Sequence, residues 1–152
     1  MCRYVSMKDG PIYWHVTTNI SFQHIFNIGA VLSLRRLRRC KIPYYRRNRY
    51  SPKQIAAKLD TYVYLSLAID PAFVRWRMQR GVNLIKLGFS AATVRLPGAN
   101  VFVGNGLRFA HRDAFIGGRV RQCYDMGEYP PIVAIDDAIP LFPWLLCVEP
   151  LV

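Results

Sequence analysis

Apolar and polar residues alternate through Pro11–Thr17 (PIYWHVT), with aromatic and β-branched side chains at most positions, and this pattern predicts a strand. The period then lengthens. Phe22, Ile25, Phe26 and Gly29 fall at helical spacing, so a helix is expected over Phe22–Ile28, capped by Asn19 or Ser21 and ended by Gly29. Leu34–Lys41 places Leu34 and Leu37 on one side among arginines, a short basic helix or turn. Ile42–Tyr50 has no period and is expected as a loop. Ser51–Leu59 opens with Ser at the cap and Pro at the first helical position.

Strand character returns at Thr61–Ala68 (TYVYLSLA), followed by Asp70-Pro71, which opens a helix through Val74–Met78 that Gly81 stops. Asn83–Phe89 and Asn100–Val103 are predicted strands separated by a Pro97-Gly98 turn. Residues 104–121 mix glycine and arginine without periodicity. Pro131–Ile135 and Trp144–Val148 complete the strands. The expectation is one mixed α+β domain, with short helices early and strands dominating afterwards.

Composition changes this picture in one respect. A chain of 152 residues that is 52% hydrophobic and 20% charged has the makings of one globular core, which excludes wholesale disorder. Its charge, however, is +12 with a pI near 10.0. Ten of the 21 basic residues lie between Arg35 and Lys58. Residues 1–121 hold all 21 against four acids, a net +17, and the remainder holds five acids and no base. The balance points to a polyanionic partner and to a basic face closed by an acidic C-terminal segment. Only Glu128 and Glu149 are glutamates, so general acid–base chemistry by Glu has two candidates.

The cysteines (Cys2, Cys40, Cys123, Cys147) stand at long irregular gaps without a C-x-x-C pair, which argues against structural zinc, and no metal is expected. Met1–Gly10 has no apolar core of the secretory kind, and the apolar run Ile139–Val148 is interrupted by two prolines. A cytoplasmic protein with reduced thiols and no membrane association is the expectation. Gly104-Asn105-Gly106 lacks the third glycine of a dinucleotide fingerprint, and no Walker lysine, G-x-S-x-G or H-E-x-x-H occurs.

Two features carry candidate chemistry. Tyr44, Tyr45, Arg46, Arg47, Arg49 and Tyr50 interleave guanidinium groups for phosphates with rings for stacking, the combination single-stranded nucleic acid requires. A solvated loop with its tyrosines folded onto the core would carry the same residues. His15 lies mid-strand, with Thr17 on the same face and a helix N-terminus next in the chain. These two side chains either belong to a hydrogen-bonded core or line a cradle for a polar ligand.

The run YWHVTTNISFQHIFNIGAVLS resembles the opening of the DarT-like ADP-ribosyltransferases, which attach ADP-ribose from NAD to bases of single-stranded DNA; His15, Thr17, Ile25 and Gly29 fall in register without a gap. LDTYVYLSLAIDP, VFVGNGLRFA and DDAIPL are similar to later segments of that family. The resemblance implies an ADP-ribosyltransferase-like split β-sheet core and NAD as substrate. It places His15, Val16, Thr17, His24 and Leu32 at the NAD site, and a catalytic arginine in the 44–50 loop, Arg47 or Arg49, with Lys53 a poorer match. Tyr44, Tyr45, Arg46 and Tyr50 would then meet nucleic acid, and an antitoxin protein would be a further partner.

The chain departs from the family at the catalytic glutamate. Aligned on DDAIPL without a gap, that position falls on Ile132, and Glu128 takes the part only if the loop is re-spaced. Gly104 stands where the family has aspartate. Two functions follow as expectations: an NAD-dependent transferase acting on nucleic acid, or a non-catalytic basic nucleic-acid-binding protein on a degenerate transferase fold. A protein or tRNA target is equally compatible with the residues, because target choice resides in loops.

Overall fold

The computed structural model describes residues 10–44, 52–56, 58–102, 115–117 and 132–151. The chain is mixed α+β. β1 (Tyr13–Thr18) runs directly into α1 (Asn19–Ile28), then β2 (Ala30–Leu32) and α2 (Leu34–Arg39). After α3 (Pro52–Ala56) and a 3-10 turn at Leu59–Thr61 come β3 (Tyr62–Ser66), α4 (Pro71–Met78) and β4 (Leu84–Phe89). A second 3-10 turn, Ala91–Arg95, precedes β5 (Ala99–Phe102). β6 (Phe115–Gly117), β7 (Ile132–Asp136), β8 (Ala138–Pro140) and β9 (Leu145–Leu151) follow.

Among the described residues, seven strands form one sheet in the order β6-β5-β7-β3-β1-β4-β9, and β2 pairs with β8 in a separate ladder. Every pairing among them is antiparallel. β3 and β4 flank β1 and run parallel to each other, so the chain must cross β1 to join them, and α4 makes that crossing. β7 and β9 lie in opposite halves of the sheet. Their connection passes through β8, which β2 holds in register from Ala30↔Pro140 to Leu32↔Ala138.

The core lies on one face of the sheet. Tyr13, Val63, Leu65, Leu87, Phe89, Val133 and Ile135 point into it, and Ile25 of α1, Val31 of β2 and Ile139 of β8 close it. Each such side chain contributes about 1.5–3 kcal/mol on full burial, so these strands and α1 are bound by a shared apolar layer. A smaller cluster of Leu59 and Ala134, with Tyr62, Tyr64 and Ile132 against it, covers the other face of β3 and β7.

Local chemistry explains most element ends. Gly29 takes the left-handed conformation (φ 78°) and its N–H bonds the Ile25 carbonyl, as the sequence predicts. Asp70 caps α4 through Ala72 N–H, with Pro71 at the first helical position. α1, in contrast, is capped by neither Asn19 nor Ser21. β1 extends one residue further than its alternation indicates, and Thr18, extended and buried, accepts from Ser21 N–H at 3.1 Å. The helix expected over Ser51–Leu59 is shorter, and Leu59 belongs to the 3-10 turn that follows Lys58 at φ 59°. β2 and β8 were not expected, because three residues are too few to display alternation. The 3-10 turn capped by Ser90 also stands within what sequence alone reads as a plain connection.

Gly29 and Gly98 both have φ 78°, but a Cβ on Gly29 would meet nothing within 4 Å, whereas one on Gly98 would lie 2.8 Å from Asp136 Cβ. Gly29→Ala is therefore expected to cost about 1–2 kcal/mol from left-handed strain alone. Gly98→Ala should cost at least about 1 kcal/mol more, from overpacking. Urea unfolding of the two variants measures the difference.

Candidate functional site

The pairing of β1 is lopsided. Against β4 it is in register along its whole length, from Tyr13↔Phe89 to Thr18↔Leu84, whereas against β3 the register is a single pair, Trp14↔Ser66. β3 meanwhile pairs fully with β7, from Tyr62↔Asp136 to Ser66↔Ile132. The sheet therefore divides into a β6-β5-β7-β3 part and a β1-β4-β9 part, whose ladder pairing is limited to one residue pair near the start of β1.

His15 sits at the point of parting. Continued for two residues, the Trp14↔Ser66 register would set Val16 opposite Tyr64. Instead the ladder stops, and the His15 ring takes the Tyr64 carbonyl, with Nδ1 3.1 Å from the oxygen. A carbonyl only accepts, so Nδ1 carries the proton. Burial pushes the His15 pKa below its ordinary value, outweighing the opposing effect of the Tyr64 hydrogen bond. The ring is consequently neutral at pH 7, and Nε2 presents a lone pair able to accept from a ligand hydroxyl or N–H. The hydrogen-bonded-core reading of His15 is correct for one nitrogen and leaves the other available to chemistry.

Strand alternation sorts the neighbouring candidates. Tyr13 belongs to the core face, which puts His15 and Thr17 on that face, with Thr17 opposite Ile85 and half-buried. Val16 lies on the other face with Trp14, whose ring has the Lys86 ammonium 4.3 Å from its centroid; Lys86 also pairs with Glu149 at 2.8 Å. Val16 can therefore meet a ligand on the His15 side only through its backbone. His24 is half-buried on α1, and Leu32 is half-buried on β2 opposite Ala138.

The α1 N-terminus, a candidate anion cradle by sequence, has its amides engaged. Asn19 N–H bonds the Asn83 carbonyl at 3.1 Å, Ile20 N–H bonds Asn19 Oδ1 at 2.9 Å, and Ser21 N–H bonds Thr18. What β1 and α1 offer a ligand is therefore side-chain chemistry from His15 and Thr17 rather than a ring of free amides.

The arginines of α2 are partly committed to the fold. Arg35 grips Asp60 with Nη2 at 3.0 Å and Nε at 3.3 Å, a two-point fork on a carboxylate that is almost wholly buried. Arg36 pairs with Asp137 at the β7–β8 junction. Arg38 Nε donates to the Tyr44 hydroxyl at 3.0 Å and lies 5.9 Å from that ring's centroid. Tyr45, Arg46, Arg47, Arg49, Tyr50 and Glu128 lie outside the described residues. Ile132 is the first residue of β7 and, like Tyr62 and Tyr64, packs against the cluster of Leu59 and Ala134. Tyr62 stands opposite Asp136, and burial together with that carboxylate raises its phenol pKa above the ordinary value.

Two contributors escaped sequence reasoning. The Tyr64 carbonyl, which fixes the His15 tautomer, leaves no trace in residue identity. Asp60 stands as the first acid after the basic stretch Arg35–Lys58, and its pairing with Arg35 is set by the fold. Among the described residues no three His, Cys, Asp or Glu side chains are gathered to hold a metal, and no helix is long and apolar enough to cross a membrane. No family model matches the chain, and comparison with curated proteins finds no sequence match.

His15 makes a pH dependence checkable. A group whose folded pKa is depressed loses stability as pH falls, because the unfolded chain then binds the extra proton. The His15 contribution should be constant above its unfolded value of 6.5 and decline below it. Urea midpoints between pH 7.5 and 5, taken as roughly the range over which an imidazole titrates, should fall for the parent protein and fall less for His15→Gln. Equal acid limbs for the two would contradict the assignment.

Proposed function

We propose that the chain is an NAD-dependent ADP-ribosyltransferase acting on bases of nucleic acid, with single-stranded DNA the favoured target. In this reading it is a cytoplasmic toxin-like enzyme restrained by an antitoxin protein, built on an ADP-ribosyltransferase-like split sheet. The observation that carries the reading is the parting of β1 from β3 with a neutral His15 at its apex. That arrangement supplies a break in the β1–β3 ladder, an acceptor nitrogen for a ribose hydroxyl and a Thr17 hydroxyl on the same face.

The chemistry asked of the site is glycosyl transfer. The bond between nicotinamide and ribose C1′ breaks, its electron pair leaves with nicotinamide, and the ribose gains oxocarbenium character that nearby negative charge stabilises. A base nitrogen then bonds C1′ and releases a proton to a general base. Glu128 is the residue to which the reading assigns that base. Arg47 or Arg49 would hold the diphosphate, since a planar fork suits phosphate oxygens. His15 must stay neutral for Nε2 to accept a hydrogen bond from a ribose hydroxyl, and its burial favours that state.

One observation favours a second reading, a non-catalytic nucleic-acid-binding protein on the same kind of fold. Ile132, which occupies the glutamate position in the ungapped comparison, is part of an apolar cluster and can do no acid–base work. Labelled NAD separates the two. Incubation with single-stranded DNA should transfer label for the parent, Glu128→Ala should abolish transfer, and His15→Ala should reduce it by about 10-fold or more. A binder transfers nothing and shows no thermal shift with NAD. A ligand at a hundred times its Kd stabilises by about 2.7 kcal/mol, which raises Tm by roughly 5 °C or more.

A further inference from the structure

α4 carries a surface that the proposed site does not use. Phe73, Trp76, Arg77 and Arg80 follow one another at helical spacing, so they form a single stripe along α4 and its C-terminal turn. Trp76 is 42% exposed and Phe73 is 38% exposed, so the two rings present a contiguous aromatic surface to water. Arg80 Cζ lies 4.0 Å from the Trp76 ring centroid, and Arg80 Nη1 donates to the Trp76 carbonyl at 3.0 Å. Arg77 sits 5.1 Å from Trp76 and 5.2 Å from Phe73, almost wholly buried beneath the stripe. Cations thus hold both rings in place while the rings remain in contact with water.

Along the chain, the charge flanking the stripe has one sign. The sequence has no acid between Asp70 and Asp113, and Asp70 is committed to the α4 cap through Ala72 N–H. Arg75 and Arg80 are exposed. The patch is complementary to a polyanion that also offers flat apolar faces.

We infer that α4 is a binding surface for single-stranded nucleic acid, with Trp76 stacking a base and Arg75 and Arg80 contacting phosphates. Unpaired bases present free π-faces, and one aromatic platform beside a cation track is the unit that captures them. Duplex bases are stacked on each other and cannot use the ring. A lipid surface would require Trp76 to enter an apolar layer with Arg80 lying against its face. The surface serves a transferase and a non-catalytic binder alike, so it does not depend on the reading proposed above.

Fluorescence anisotropy of a labelled oligothymidylate, with the full chain and no NAD, tests the inference. Trp76→Leu should weaken binding about 10-fold, and Trp76→Phe should retain most of the affinity. Arg80→Gln should weaken binding and lower the slope of log affinity against log salt by roughly 0.7. Binding of all three variants within about two-fold of the parent would overturn the inference. So would equal or tighter binding of the matching duplex with the same dependence on Trp76. Vesicles of phosphatidylcholine and phosphatidylserine serve as the lipid probe. Trp76-dependent binding to them, with the oligonucleotide unaffected by the variants, would assign the patch to a membrane instead. If Trp76→Leu does not fold, the double variant R75Q/R80Q decides by the same criteria. Because NAD is absent throughout, failure of label transfer leaves this result unaffected, and the converse also holds.

Discussion

β1 is the one strand through which both parts of the sheet are joined, and its two edges are used unequally. Its full ladder with β4 fixes β4 and β9 to it, whereas a single residue pair fixes it to β3. The backbone groups that a continuous ladder would have paired must be satisfied otherwise, because an orphaned buried carbonyl is costly. The His15 ring does this for Tyr64. That bond fixes the histidine's tautomer and leaves Nε2 as the acceptor, while burial keeps the ring neutral against it, so the feature that completes the fold also equips it for chemistry.

The divided charge of the chain has a structural counterpart. Arg36 reaches Asp137 and Lys86 reaches Glu149, so late acids are spent on cations contributed far earlier in sequence. These are exposed or half-exposed pairs, and each is worth little in stability. Arg35 with Asp60 differs, because the carboxylate is buried and held at two points, which anchors α2 to the turn that launches β3. Among the described residues, exposed cations outside these pairs include Arg39 and Lys41 at the end of α2 and Arg75 and Arg80 on and just after α4. The polyanionic partner inferred from composition thereby becomes a question about particular side chains.

Legibility varied with how local the determining interaction was. The β1 alternation, the Gly29 stop and the Asp70-Pro71 start were all readable, since each depends on a residue's own backbone preference or on its immediate neighbours. The α1 cap was misplaced by one to three residues, because Thr18, Asn19 and Ser21 are all good caps and only the strand pairing Thr18↔Leu84 selects the first. The β2–β8 ladder was invisible, as its two strands are three residues each and separated by most of the chain. His15 and Thr17 were found together through strand parity, and the same parity separates Val16 from them. The stripe on α4 is not legible in sequence, because an aromatic and arginine pattern at helical spacing fits equally a buried face with snorkelling cations.

The amino-acid sequence by itself determined the fold class, the helix boundaries set by proline, glycine and aspartate, and the presence of a histidine and a threonine on one face of the first strand. These are short-range matters, settled by φ/ψ preference and periodicity. Only the tertiary structure decided that β1 parts from β3 after one pair, that the His15 ring meets the Tyr64 carbonyl, and that Trp76 remains in water beneath Arg80. Each of those outcomes depends on which strands and helices become neighbours. That choice is made by burial of the whole apolar layer at once, and no window of sequence contains it.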